Sequence, residues 1–135
     1  MWNIDNIISK KSIKILFQPI ISIKRKSVIG YEILSRGIDN EGKLISAIDL
    51  FESARKADKL SELDNLCRLL ALDKYSKLFD SNYLFINFEI SGLNKGESGK
   101  NDLIVSLNAL IEKLDSLNID PSKIVIEIIE SKVKN

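Results

Sequence analysis

Glu32 stands between two large apolar neighbours, Tyr31 and Ile33, in a run that otherwise reads as a strand from Ser27 to Ser35. A carboxylate facing a core without partners is costly, so it needs a metal, a hydrogen-bond donor or water. Arg36 follows four residues on, and its planar fork suits the oxygens of a phosphate. A carboxylate able to hold a cation, beside a guanidinium able to hold a phosphate, points to phosphodiester chemistry. Two other apolar runs each carry one polar residue that their surroundings do not explain: Asn87 in YLFINF and Glu127 in KIVIEII. Taken singly, a glutamate near a strand end is more often solvated, and a strand asparagine more often satisfies a loop. Together, in the later halves of three strands, two carboxylates and an amide oxygen make a partial ligand set for a divalent cation.

Composition narrows what that chemistry can be. The 135 residues contain no histidine, which excludes Ser-His-Asp, Cys-His and His-ligated zinc sites built from this chain. Oxygen ligands favour hard ions such as magnesium, manganese or calcium. The formal net charge of +1 gives no bulk electrostatic footprint for DNA, RNA or an anionic membrane. The single cysteine, Cys67, cannot form an internal disulfide and reads as core, which fits a reducing, cytoplasmic setting. No apolar run approaches the roughly 20 residues of a membrane span, and the start MWNIDNIISKK lacks the apolar stretch of a secretion signal.

The elements that must position these residues follow from periodicity and punctuation. A short helix is expected over Asp5–Lys11, then a β-rich run from Ile13 to Ile23 whose Pro19 marks an edge or a bend. Lys24–Ser27 reads as a tight turn into the Glu32 strand, which must then run antiparallel to the first. Gly37–Gly42 is a polar loop, and Ser46 caps a helix that places Leu50, Ala54 and Ala57 on one face. A second helix begins after a cap at Ser61 and carries the stripe Leu63, Leu66, Cys67, Leu70, Ala71 and Leu78. Tyr83–Phe88 is a strand, and Glu89–Asn101, with Gly92, Gly96 and Gly99, is a flexible loop. Asn101 or Asp102 caps a helix with Leu103, Leu107, Leu110, Ile111, Leu114 and Leu117 on its apolar face, stopped at Asn118. A turn at Asp120-Pro121 leads into the strand Lys123–Ile129. Strands alternating with amphipathic helices imply an α/β fold with a parallel sheet after the opening hairpin.

FQPIISI followed by VIGYEILSRG resembles the opening hairpin of the EAL domain, the bacterial cyclic di-GMP phosphodiesterase family. The signature Glu-Ala-Leu is present as Glu32-Ile33-Leu34, FINF resembles the family's Asn-bearing strand, and NIDPSKIVIEIIES resembles its Glu-x-Thr-Glu strand with Ile129 in place of Thr. The resemblance implies a partial TIM-like (β/α) barrel with an antiparallel first strand, roughly the first half of an EAL barrel. Residues 1–12 form a leading segment and 13–135 the barrel elements. It further implies that Glu32, Asn87 and Glu127 match metal ligands for Mg2+ or Mn2+. Gln18, Leu34 and Arg36 match contacts to the dinucleotide, and Glu130 matches an acid that supports an active-site loop. The expected partner is cyclic di-GMP, opened to linear pGpG, and the expected setting is cytoplasmic, with no DNA, RNA or membrane partner.

A complete barrel of this kind takes about 250 residues. The family's Asp-Asp metal motif, catalytic lysine and general-base glutamate have no counterpart in this sequence. These residues alone are therefore expected to hydrolyse negligibly. The alternative is a non-catalytic module that binds cyclic di-GMP or another protein. A half-barrel exposes a strand edge and an apolar inner face, so self-association is also expected.

Overall fold

Asn3 opens the first helix: its side chain accepts from the N–H groups of Asp5 and Asn6 at 2.8 and 3.3 Å, and α1 spans Ile4–Ser9. The computed structural model describes residues 2–78, 82–89 and 97–129, with backbone alone at 89 and 97–102. Two strands follow, β1 (Ile13–Ser22) and β2 (Ser27–Ile38), paired antiparallel through the expected turn. Lys26 takes a positive φ of 52° there, and Ser22 Oγ accepts from the Arg25 N–H at 3.1 Å. The register slips between Ile20 and Ile21, an irregularity that increases the local twist.

The polar loop begins at Asp39 rather than Gly37. Gly37 and Ile38 remain in β2, where they pair with a two-residue strand, β3 (Leu44–Ile45). Asp39 Oδ1 closes the loop by accepting from Glu41 and Lys43 N–H groups at 2.9 and 2.8 Å. Ser46 caps α2 (Ala47–Lys56) as expected, its Oγ 3.1 Å from the Asp49 nitrogen. Leu50 and Ala54 are buried, whereas Ala57 ends the helix and is exposed.

Helix α3 (Leu60–Leu78) starts before Ser61, which therefore does not cap it. The reason lies in the turn that ends α2. Asp58 adopts φ 55°, its N–H donates to Arg55 O, and Lys59 N–H reaches back to Ala54 O at 2.8 Å. That pairing reverses the chain within two residues and starts the next helix at once. The same turn ends α1, with Lys11 at φ 53° and Ser12 N–H donating to Ile7 O.

Strand β4 (Tyr83–Glu89) leads to α4 (Glu97–Ser116), which begins well before Asn101 and Asp102. Neither residue caps the helix, and Gly99 lies inside its first turn, where one glycine costs only about 1 kcal/mol. Gly92, Gly96 and the rest of the expected loop over 90–96 lie outside the described residues. Asn118, at φ 54°, terminates α4 as expected, and Ile119 N–H donates to Leu114 O. A 3-10 turn at Pro121–Lys123, capped by Asp120, feeds β5 (Ile124–Ile129).

The sheet order is β1-β2-β4-β5, with β3 beside β2; β2, β4 and β5 run parallel and β1 opposes them at an edge. The helices cover one face. One cluster there joins Ile4, Ile7, Ile15, Ile45, Leu50, Ala54, Leu63, Cys67 and Ala71. A second joins Leu72, Tyr75, Leu84, Ile86, Phe88, Leu110 and Leu114. Full burial of a leucine or isoleucine such as Leu63, Leu72, Leu84 or Ile86 contributes about 1.5–3 kcal/mol. Two residues expected on the apolar faces, Leu78 and Ile111, are instead more than half exposed. Leu78 is the last residue of α3, and Ile111 stands one position beyond the buried Leu110 on α4.

Arg68 is buried on α3, 4 % exposed, in the midst of that apolar packing. It pairs with Asp64 one turn earlier, and its guanidinium carbon stacks 3.9 Å from the centroid of the Phe88 ring. Among the described residues, no helix is long and apolar enough to cross a membrane.

Candidate functional site

Strand alternation sorts the sheet residues into two sets. Ile15 on β1, Leu84, Ile86 and Phe88 on β4, and Ile124 and Ile126 on β5 pack towards the helices. Their neighbours must point the other way. That second, inner face carries Lys14, Leu16 and Gln18 from β1, Glu32, Leu34 and Arg36 from β2, Phe85 and Asn87 from β4, and Val125 and Glu127 from β5. All six candidate residues within the described chain therefore share one face. Glu130 lies outside the described residues.

Their mutual placement follows from the register. Gln18 is paired directly with Glu32 across the hairpin, and Leu16 with Leu34. Asn87 is paired with Glu127 on the parallel neighbour. Asn87 Nδ2 donates to Glu32 Oε1 at 3.3 Å, and Asn87 is also the register partner of Glu127. With its nitrogen engaged, Asn87 offers Oδ1 to any cation. The ion pairs among the described residues engage neither Glu32 nor Glu127. Glu32 lies at the middle of β2 and not in its later half, because the strand continues to Ile38.

The floor beneath Glu32 depends on the absence of a side chain at Gly30. A Cβ there would stand 2.6 Å from Tyr83 O and 2.8 Å from Phe85 Cε2. The Phe85 ring thus lies across the glycine on the inner face, two residues before both Glu32 and Asn87. Gln18 is exposed, whereas Glu32, Leu34, Asn87 and Glu127 are half-buried. Arg36 is also half-buried, and its Nη1 donates to Ser35 O at 2.8 Å, which leaves other donors of the fork for a ligand.

Lys14 was not anticipated. It is paired directly with Arg36, and two cations opposed across an antiparallel pair repel each other unless an anion lies between them. The signal was present in the spacing: Lys14 precedes Gln18 by four residues, as Arg36 follows Glu32 by four.

The donor set suits a hard divalent ion, with two carboxylates and one amide oxygen on adjacent strands. It is incomplete by itself. Among the described residues, no group of three His, Cys, Asp or Glu side chains is placed to hold a metal ion. Nearby on the helix side, burial raises the Cys67 thiol to about 11, partly offset by its hydrogen bond with Ser35, so the thiol stays protonated and inert.

No curated protein matches the chain in sequence. Among solved structures, the FimX EAL domain from Pseudomonas aeruginosa bound to c-di-GMP matches with a TM-score of 0.70 at 21% identity, covering 92% of this chain and 47% of that one. The phosphodiesterase PaMucR in its c-di-GMP complex gives 0.69 at 15% identity, over 90% and 48%. Klebsiella pneumoniae BlrP1, in a calcium and cyclic di-GMP complex, gives 0.60 at 19%, over 87% and 27%. The chain thus spans about half the length of the first two and less of the third, and at these identities the likeness is one of fold: a partial barrel. The family model for the EAL domain matches residues 3–135, and with that match the chain belongs to the EAL domain family.

Proposed function

We propose that this chain supplies one wall of a metal-dependent phosphodiesterase pocket for cyclic di-GMP. Glu32, Asn87 and Glu127 would hold the cation, Mg2+ or Mn2+, and Gln18, Leu34 and Arg36 would hold the dinucleotide. The observation that carries this reading is the hydrogen bond from Asn87 to Glu32 beside the paired Glu127, on a face that no described helix covers. A divalent ion held by Glu32, Asn87 and Glu127 would supply Lewis-acid chemistry, activation of water and neutralisation of phosphate charge. The chain's own contribution is orientation. Arg36, with Lys14 opposite, sets a phosphate near the carboxylates, and the apolar Leu34 offers a surface for a guanine ring. Asn87 keeps Glu32 in place before any cation arrives.

Glu130 is assigned to support of a neighbouring loop. No counterpart of the family's general base is present in the 135 residues, so we assign binding to them and no complete hydrolytic cycle. Calorimetry with magnesium is expected to register cyclic di-GMP binding that Glu32→Gln removes; the absence of any heat from the unaltered chain would refute the site. Metal-dependent release of pGpG by the same chain would overturn the assignment of binding without turnover.

A second reading, self-association, is favoured by one observation. Ile104 and Ile111 on α4 and Ile128 and Ile129 on β5 are 55, 55, 58 and 44 % exposed, and β5 has a partner on one side only among the described residues. Light scattering is expected to give a mass above the 15.2 kDa monomer as concentration rises. A monomer throughout excludes it.

A further inference from the structure

The net charge of +1 conceals an uneven distribution. The hairpin turn, the starts of β4 and β5 and the end of α3 meet at one end of the sheet. Val28 pairs with Ile21, and Gly30, two residues on, pairs with Tyr83. Leu84 pairs with Ile124, and Lys123 Nζ lies 5.1 Å from the centroid of the Tyr83 ring. The Tyr75 hydroxyl donates to Asn82 O, which holds the end of α3 against the start of β4. This end gathers Lys24, Arg25, Lys26, Lys77 and Lys123. The acids there are Asp115 and Asp120, the latter engaged in capping Ser122, with Asp80 outside the described residues.

Apolar residues project from the same end. Ile23 is 90 % exposed at the apex of the turn, and Ile21, Leu78 and Tyr83 are 62, 57 and 41 % exposed around it. An isoleucine so placed, immediately before three consecutive basic residues, does nothing for the core. The turn is nevertheless ordered by the Arg25 N–H to Ser22 Oγ bond, so presenting Ile23 to a partner costs little conformational entropy.

We propose that this end docks peripherally onto an anionic phospholipid bilayer, with Ile21 and Ile23 entering the headgroup–acyl boundary and Lys24, Arg25, Lys26, Lys77 and Lys123 contacting the phosphates. A bilayer satisfies both features at once, since it presents negative charge above an apolar phase. A nucleic acid or an acidic polypeptide would meet the cations but leave Ile23 in water. The turn, with Ile23 open to solvent, suits insertion, and the inner-face residues run along the strands from Glu32 at the middle of β2 to Arg36 near its far end. The inference is independent of the nucleotide reading.

The test is flotation of the 135-residue chain with phosphatidylcholine vesicles, with and without phosphatidylglycerol. Binding is expected only to the anionic vesicles. Neutralising Lys24, Arg25 and Lys26 together to Gln is expected to weaken it by about a hundredfold, at roughly fivefold per charge. Ile23→Asp is expected to weaken it at least tenfold, with an unchanged circular dichroism spectrum because the site is exposed. An environment-sensitive dye on Ile23→Cys, where buried Cys67 does not compete for label, is expected to shift to the blue with anionic vesicles and not with heparin. Equal binding to neutral vesicles, a dye that stays in water, or binding indifferent to Ile23→Asp would each overturn the proposal. Heparin binding as tight as vesicle binding, with that indifference, would identify a polyanion partner instead.

Discussion

The two ends of the parallel strands are built to opposite specifications. At one end and along the inner face, the central polar groups are half-buried and held: Glu32 by Asn87, Arg36 by a backbone carbonyl. At the other, Lys24, Arg25, Lys26 and Lys77 stand in solvent with Ile21 and Ile23, and Lys123 lies half-buried beside the Tyr83 ring. One sheet thus carries two kinds of surface. A site that must discriminate geometry is placed where packing fixes its atoms. A surface that needs only charge and apolar area can sit on a turn. Along β2, Arg36 lies eight residues from Val28, about 26 Å at 3.3 Å per residue, and Glu32 four residues, about 13 Å.

The largest effect expected on this comparison comes from the packed end. Asp64→Ala leaves the Arg68 guanidinium buried against Phe88 without its carboxylate, and is expected to cost about 3–5 kcal/mol in urea unfolding. A loss below about 1 kcal/mol would mean that Arg68 finds water and that this end is looser than described. Next, Glu32→Gln and Glu127→Gln are each expected to lower cation affinity by at least about tenfold, read from Mn2+ paramagnetic relaxation, while leaving vesicle binding unchanged. A parallel loss of vesicle binding would erase the separation of the two ends.

Alkaline titration sharpens the contrast further. Burial raises the pKa of Cys67 from 9.0 to about 11 and that of Tyr75 above 10.0, so each group stabilises the fold fully below its unfolded value and loses that contribution as pH rises through the folded one. The unfolding free energy is therefore expected to fall above about pH 9, by up to roughly 2–3 kcal/mol for Cys67. Cys67→Ala should flatten this limb near pH 9–11. An unaltered limb would place the loss elsewhere.

The smallest effect lies in the turns. Lys11 and Asp58 hold left-handed backbone near the site end, and Lys26 and Asn118 do so at the basic end, where only the asparagine is a residue that tolerates it. Glycine at Lys11 or Asp58 is expected to raise stability by up to about 1 kcal/mol, and at Asn118 by less. Equal gains at all three would show that the cost does not depend on residue type.

The hairpin, the parallel order and the residues of the inner face were legible because a polar residue within an apolar strand is a local signal. Glu32, Asn87 and Glu127 each announce themselves within a few neighbours. Arg68 did not, since a charge on an apolar helical stripe reads as the stripe's margin until Asp64 and Phe88 are seen around it. Lys14 required the register. The basic end was invisible for a different reason: its residues come from four separated segments, and a net charge near zero averages them away. The start of α4 was misplaced because Gly99 and its polar neighbours resemble a loop, and tertiary packing of Leu103, Leu107, Leu110 and Leu114 outweighs that local preference.

The edges of the sheet carry a consequence for growth. β1 offers a poor template to an incoming strand: Pro19 removes a donor, the register slip after Ile20 twists the edge, and Lys74 Nζ already donates to Ile15 O at 2.7 Å. β5 has none of these defences and ends in exposed isoleucines. Any added strand, from whatever chain, is therefore directed to β5, and it would arrive alongside Glu127 rather than behind Gln18. The sheet has a polarity of assembly, and it points at the inner-face acids.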